Sequence, residues 1–239
     1  MGLKTEGLDI VYTVKEKPEN EELRYSLRSL RNLPHNKVFI YGGLPNCVDP
    51  EAVNYVRVNQ RYGNKWLNTA AQLIYITQND NITEDFIWFN DDFFVMKPIK
   101  ELEYYRDRTL SERIRDFGRK NQFHTRGKYA TRLRKAQWSL QAHDKEINNF
   151  ELHIPMVFNR EKLLKVMKQF PNQGAKRSLY GNCCVENPIQ RSDVKIYDFL
   201  QKPTGEEDFL STTDGTFSTG AVGKFIRNKF RKASPYERA

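Results

Sequence analysis

No apolar run in this chain approaches the roughly 20 residues that a membrane-spanning helix requires. Cysteine is scarce: Cys47 and the neighbours Cys183 and Cys184 are too few, and wrongly spaced, for a disulfide framework or a zinc site. Such usage suits reduced thiols in a cytoplasmic protein. Histidine is rarer still for the length, with four in 239 residues. There is no Gly-x-Gly-x-x-Gly, no P-loop and no internal repeat, so the usual phosphate-cradling loops are excluded. The opening "MGLKTEGLDIVYTV" has no apolar signal region, and Glu6 stands where a myristoylation signal has Ser or Thr. A cytoplasmic, unlipidated protein is therefore the expectation.

What is present is core material and positive charge. Hydrophobic residues make up 38% and aromatics 13% of the chain, and the net charge is +9. A core is assured, and a polyanionic partner or substrate is suggested.

The patterning alternates strand and helix. "LDIVYTV" reads as a first strand, and "ENEELRYSLRSLRNL" as a helix with Leu23, Leu27 and Leu30 on one face. Acids at its start and arginines near its end suit the helix dipole. "NKVFIYGG", "AVNYVRVN" and "EDFIWFN" read as further strands, with "NKWLNTAAQLIYITQN" as a helix before the last. This order predicts a mainly parallel, right-handed α/β sheet flanked by helices. Ligands of such sheets bind beyond the carboxyl ends of the strands, where Thr13, Gly42 and Asp91 would gather.

Beyond residue 100 the character changes. Residues 106–135 hold eleven Lys or Arg against three acids, interleaved with Phe117, Phe123 and Tyr129. The stretch is either a solvated helical face or a basic helical insertion that grips a polyanion through Arg113, Arg119, Arg126, Lys128, Arg132 and Arg134. "FELHIPMVFNREKLLKVMKQF" then reads as a strand running into an amphipathic helix, and the tail is again basic. One domain over 1–239 is expected: a nucleotide-binding half over 1–100, the insertion over 101–145, and an acceptor-side half with the tail over 146–239.

The sharpest feature is "FIWFNDDFF", in which Asp91 and Asp92 follow an apolar strand. Burying a carboxylate pair is costly without compensation. A hard divalent cation, Mn²⁺ or Mg²⁺, supplies it, and in turn neutralises a diphosphate. The plainer alternative is a strand-end turn or a helix cap.

Here the sequence resembles a family. The strand–Asp–Asp arrangement is similar to the metal motif of GT-A-type glycosyltransferases. "DIVYTV", "NEELRYSLRSLRNLP", "FIWFNDDFFVMKPI", "ELHIPMVFNREKL", "FLSTTDGTF" and "SPYE" resemble, in order, the Stealth group of sugar-phosphate transferases and related capsule-type enzymes. Where Stealth members carry Trp-Val-Asp-Gly, this chain has "VKEKPEN". The resemblance implies a GT-A-like Rossmann-type sheet, with Asp91 and Asp92 holding the metal and Asp92 first in direct ligation. It implies a nucleotide sugar, UDP-hexose first, against Thr13, Arg24, Lys65, Asn68 and Asp91.

His153 is either structural or the third metal ligand. Glu151, two residues away, would share its face on a strand and is a candidate general base; Asp193 and Asp214 compete for that role. Three functions follow. The first is transfer of a hexose to a hydroxyl on a polyanionic acceptor, with hydroxymethylated bases in DNA favoured and anionic polysaccharide the other choice. The second is Stealth-type sugar-1-phosphate transfer. The third is a non-catalytic nucleic-acid-binding protein on the same scaffold.

Overall fold

The computed structural model of the protein describes residues 2–63, 65–120 and 127–238. The chain runs β1 (Leu3–Lys4), β2 (Asp9–Val14), α1 (Glu21–Ser29), β3 (Val38–Gly42), β4 (Asn54–Arg57), α2 (Lys65–Thr77), β5 (Asp85–Phe89) and β6 (Phe93–Val95). It continues through β7 (Glu101–Leu102), β8 (Tyr105–Arg106), α3 (Leu110–Lys120), α4 (Lys128–Gln141), β9 (Met156–Asn159), α5 (Arg160–Gln169) and α6 (Lys176–Cys184). It closes with β10 (Ile189–Gln190), β11 (Phe209–Ser211), α7 (Asp214–Ser218) and α8 (Ala221–Lys229).

The central sheet has the order β4-β3-β2-β5-β9. Its first four strands are parallel, and β9 runs antiparallel to β5 with Trp88 opposite Met156. The expected α/β fold with a mainly parallel sheet is the observed one. Successive side chains on a strand face opposite sides, and both sides are covered here. Ile10, Tyr12, Ile40, Ile87 and Phe89 pack with Leu23 and Leu27 of α1. Val11, Phe39, Tyr41, Phe86 and Trp88 pack against α2, α4, α5 and α6 through Leu73, Leu133, Leu163 and Leu179. Burial on both faces explains why these strands read as continuous apolar runs rather than alternating ones.

Asn20 starts α1, its side chain accepting from the Leu23 N–H at 3.1 Å, as a helix cap should. At the carboxyl end of β3, Gly42 has φ +108°, and a Cβ there would lie 2.2 Å from the Val14 carbonyl. Only glycine lets the chain turn this closely over the sheet edge.

The basic stretch is built into the body of the protein. Leu110 and Ile114 of α3, with Leu133, Ala136 and Leu140 of α4, are buried in the same core as Val11 and Phe86. A correction falls on residues 150–155. The strand begins only at Met156, beyond Pro155, so Glu151 and His153 do not share a strand face. The proline has no N–H for a ladder, and the His153 N–H goes to a side chain, Asp193 Oδ1, at 2.9 Å.

Candidate functional site

The carboxyl ends of β2 and β5 deliver Thr13 and the Asn90–Asp91–Asp92 turn to one edge of the sheet. Around that turn two groups of side chains meet. One is acidic, contributed by the turn itself, α1 and α7. The other is cationic, contributed by α4 and α6.

On the acidic side, Asp91 accepts from Asn20 Nδ2 at 2.7 Å. Burial, together with the adjacent Asp92, pushes its carboxyl above the usual carboxylate range. Asp92 is buried, and is met by Lys195 Nζ at 2.6 Å and Ser211 Oγ at 3.0 Å. Glu22, buried on α1, accepts from Thr212 Oγ1 at 2.6 Å. Burial first, then Asp214, Asp92 and Asp91, raises its pKa to about 8. The shift favours the protonated form of Glu22, and its interaction with Asp214 lowers the pKa of that carboxyl in turn. Four carboxyl groups thus converge at one sheet edge, with Lys195 paired to one of them.

On the cationic side, Arg177 is only 7% exposed. Its guanidinium lies 4.0 Å over the Trp88 ring and 5.2 Å from that of Phe93. Its closest polar contact is a long one, 3.4 Å to Asn90 Oδ1, and its Nε has no hydrogen-bond partner among the described residues. Burial lowers its pKa to about 10, still well above neutrality. Lys176 beside it is also buried, which brings its pKa down to about 8 against the opposing pull of Glu151. Arg132 stacks between Trp66, at 4.6 Å, and Tyr129, at 4.8 Å. The indole N–H of Trp88 donates to Thr13 Oγ1 at 3.1 Å, tying this group to the end of β2.

The remaining sequence-derived candidates find varied places. Glu151 accepts from the Ser178 N–H at 3.0 Å and lies 3.9 Å from Arg132, so it caps the first turn of α6. His153 Nδ1 bonds Asp193 at 2.9 Å, and Asp193 also faces Arg113 at 3.7 Å. Burial would raise the Asp193 pKa, but His153 and Arg113 outweigh it and hold the carboxyl at about 2. Arg24 turns away from the turn, toward Glu237 at 3.8 Å. Lys65 lies 5.4 Å over Trp66 at the exposed start of α2. Asn68 bonds both the N–H and the carbonyl of Tyr62, closing the loop before α2.

Arg113 and Arg132 therefore point inward to carboxylates. Arg126 and the side chains of Arg119 and Lys128 lie outside the described residues, and Arg134 sits on α4. No local pattern in the sequence points to Glu22, Lys176, Arg177 or Lys195. The adjacent Lys176–Arg177 pair comes nearest to a signal, and it reads like any helix surface.

The fit of a divalent cation is partial. Two hard carboxylates are adjacent, and their mutual repulsion is what a cation would relieve. A third side-chain ligand is not supplied: among the described residues no group of three or more His, Cys, Asp or Glu is placed to hold a metal ion. His153 is bound to Asp193 instead of standing with Asp91 and Asp92.

No protein-family model matches the chain, and neither does any curated protein. Among solved structures, the chain is similar to the galactosyltransferase LgtC in complex with donor and acceptor sugar analogues. Identity is 9%, coverage 95% of this chain and 96% of that one, and the TM-score 0.47. An active-site mutant of LgtC matches at 11% identity over 77% and 73% of the two chains, with TM-score 0.40. The apo form of the glycosyltransferase GlyE of Streptococcus pneumoniae TIGR4 matches at 10% over 95% and 60%, with TM-score 0.43.

Proposed function

We propose that this protein is a glycosyltransferase that moves a hexose from a nucleotide sugar, UDP-linked in the first instance, to a hydroxyl on a polyanionic acceptor. One observation carries the reading. Adjacent carboxylates, the half-buried Asp91 and the buried Asp92, and a buried guanidinium without a carboxylate partner among the described residues, Arg177, border the same turn at the carboxyl edge of a parallel sheet. A guanidinium held out of water without an anion is costly unless a ligand supplies the anion. The diphosphate of a nucleotide sugar does so bidentately, and Lys176 adds a second charge.

Asp91 and Asp92 would hold Mn²⁺ or Mg²⁺ with phosphate oxygens completing the shell, and that cation would neutralise the diphosphate. Thr13 and Trp88 border the end of β2, where the nucleobase is placed in this reading. In the reaction the bond between the anomeric carbon and the diphosphate oxygen breaks, and the acceptor oxygen forms the new bond. The nucleoside diphosphate leaves against Arg177 and Lys176.

For the general base, this reading turns from the sequence-derived candidates Glu151, Asp193 and Asp214 to His153, which Asp193 positions. With Nδ1 donating to Asp193, the Nε2 lone pair is left to accept the acceptor proton. Glu151 is occupied as a helix cap, and Asp214 by Glu22.

The test is nucleotide release from a panel of nucleotide sugars, with and without Mn²⁺. Hydroxymethylated duplex DNA and a phosphate-bearing polysaccharide serve as parallel acceptors, and products are read by mass spectrometry. A hexose-sized gain with nucleoside diphosphate release supports the reading. Absence of turnover with every donor would sink it and favour the binding-protein alternative.

Sugar-1-phosphate transfer is a second reading. What supports it is that three of the stretches that resemble Stealth proteins meet here, bringing Glu22, Asp91 and Asp214 together from separate segments. That reaction releases nucleoside monophosphate and leaves a phosphodiester, so the same assay separates the two.

A further inference from the structure

Beside the site lies a second concavity, of about 490 Å³, between the start of α3 and β10. It is lined by Asp107, Arg108, Glu112, Arg115, Arg191 and Ser192, together with Gln190. None of these lining residues is aliphatic or aromatic. We infer that this cavity binds a phosphate group of a carbohydrate or polyol-phosphate acceptor chain, holding the chain so that its hydroxyl reaches the Asp91–Asp92 edge. The inference deepens the transferase reading by naming the acceptor's chemistry.

Three observations carry it. The first is the state of the charges. Both acids of the lining are engaged: Asp107 lies 3.4 Å from Arg108 and 4.0 Å from Arg113, while Glu112 accepts from the Thr109 N–H and hydroxyl at 2.9 and 2.8 Å. Arg115 makes no ion pair within 4.0 Å among the described residues, and Arg191 has only Asp208, half exposed, at 3.5 Å. Arg108 is shared between Asp107 and Asp116, so the lining's three guanidiniums face two carboxylates and Arg115 is the cation left for a phosphate.

The second is position. Arg113 bridges the Asp107 wall of the cavity to Asp193, at 4.0 and 3.7 Å, and Asp193 holds His153. The chain segment continues from Ser192 to Lys195, whose ammonium meets Asp92 at 2.6 Å. The cavity therefore adjoins the proposed base and the carboxylate pair.

The third is the lining itself. Recognition of unpaired nucleic-acid bases relies on aromatic stacking, and among the described residues no ring lines this cavity. Its volume exceeds that of one phosphate, leaving room for an attached polyol or sugar ring. This favours a phosphate-bearing polyol or sugar over a nucleobase.

The test uses the isotopically labelled full chain and a probe that needs no turnover. A glycerol-phosphate trimer is titrated while the backbone amides of Gln190, Arg191 and Ser192 are followed by NMR. Unphosphorylated glycerol, and duplex DNA of equal phosphate content, serve as comparators. Saturable shifts with the trimer and none with glycerol are expected. Arg115→Glu, checked for a native spectrum, should weaken binding at least tenfold, and Arg115→Lys less. Arg115 is exposed on α3, so its replacement leaves the fold intact.

No saturable shift, or equal binding by Arg115→Glu, would overturn the inference. So would tighter binding of the DNA at the same amides. Trimer binding by a chain that turns over no donor supports the cavity and sinks the transferase reading, so the two fail separately.

Discussion

Two carboxylate positions, one buried and one half-buried, sit at opposite ends of the same sheet, and they are treated in opposite ways. At the amino end of β2, Asp9 is 1% exposed and fully engaged. Its Oδ1 accepts from Asn36 Nδ2 at 2.9 Å and the Lys37 N–H at 3.0 Å, and its Oδ2 from the Thr83 N–H at 2.9 Å. It pins three segments to the edge of the sheet. At the carboxyl end, Asp91 has a single side-chain donor and a second carboxylate as its neighbour, and its pKa is pushed up in consequence. The satisfied end is built for stability. At the other end the repulsion between Asp91 and Asp92 is of the kind a positively charged or proton-donating ligand would relieve, which is the basis for proposing the site there.

The comparison is broken most strongly by chemistry. Asp91→Asn and Asp92→Asn should each lower donor turnover by about 10³-fold or more, in line with loss of a metal- or charge-stabilising group. Their stabilities should diverge. Asp91→Asn removes repulsion and should leave the melting temperature unchanged or raised. Asp92→Asn leaves the Lys195 ammonium buried without its partner and should lower it. If turnover survives both replacements, the carboxylates are structural.

The converse experiment is at the other end. Asp9→Ala removes the buried acceptor of two backbone N–H groups and an amide, and should cost about 3 kcal/mol. For a chain of this size that lowers the melting temperature by about 8 °C, with turnover per folded molecule unchanged. Thermal unfolding paired with active-site titration reads both quantities. A change in turnover with no change in stability would reverse the roles assigned to the two ends.

Much of this contrast was legible in the sequence, and the missing part has a physical reason. Asp91 and Asp92 stood out because they follow "FIWF", a run that only a buried strand explains. Glycine at position 42 and the cap at Asn20 are likewise local signals. The partners of the carboxylates are not local. Lys195 reaches Asp92 across 103 positions in the chain, and Glu22 meets Thr212 across 190. Arg177 and Lys176 read as surface cations because helix periodicity does not distinguish a polar face in water from a polar face turned into a cleft. Glu151 and His153 were assigned one strand face by alternation, which fails once Pro155 and Asp193 keep their segment out of the sheet.

The cationic side offers a smaller effect than the carboxylates. Arg177→Met removes a buried guanidinium that has no carboxylate partner among the described residues, so the fold should be as stable or more so. Affinity for UDP should fall by about 10²-fold, the worth of a charge-assisted bidentate contact in a dry site. Isothermal titration with UDP measures it. Lost stability together with unchanged UDP binding would make Arg177 a packing residue and remove the diphosphate from this side of the turn.

Lys176 gives the smallest effect and the one most specific to its cause. Burial holds its pKa at about 8 in the folded chain, against an unfolded value near 10.4. Between those values the unfolded chain binds more protons than the folded one, so this residue makes stability rise with pH across that window. Binding moves the other way. A phosphate is already ionised above about pH 6, so its charge is constant there, whereas Lys176 loses its proton as pH passes about 8. UDP affinity should therefore fall by up to about tenfold per pH unit above that point, the limit for one linked proton. Lys176→Met should bind more weakly at pH 7 and lose the pH dependence. A wild-type affinity that stays level from pH 7 to 9.5 would place the diphosphate out of reach of Lys176, leaving Arg177 as its sole buried cation.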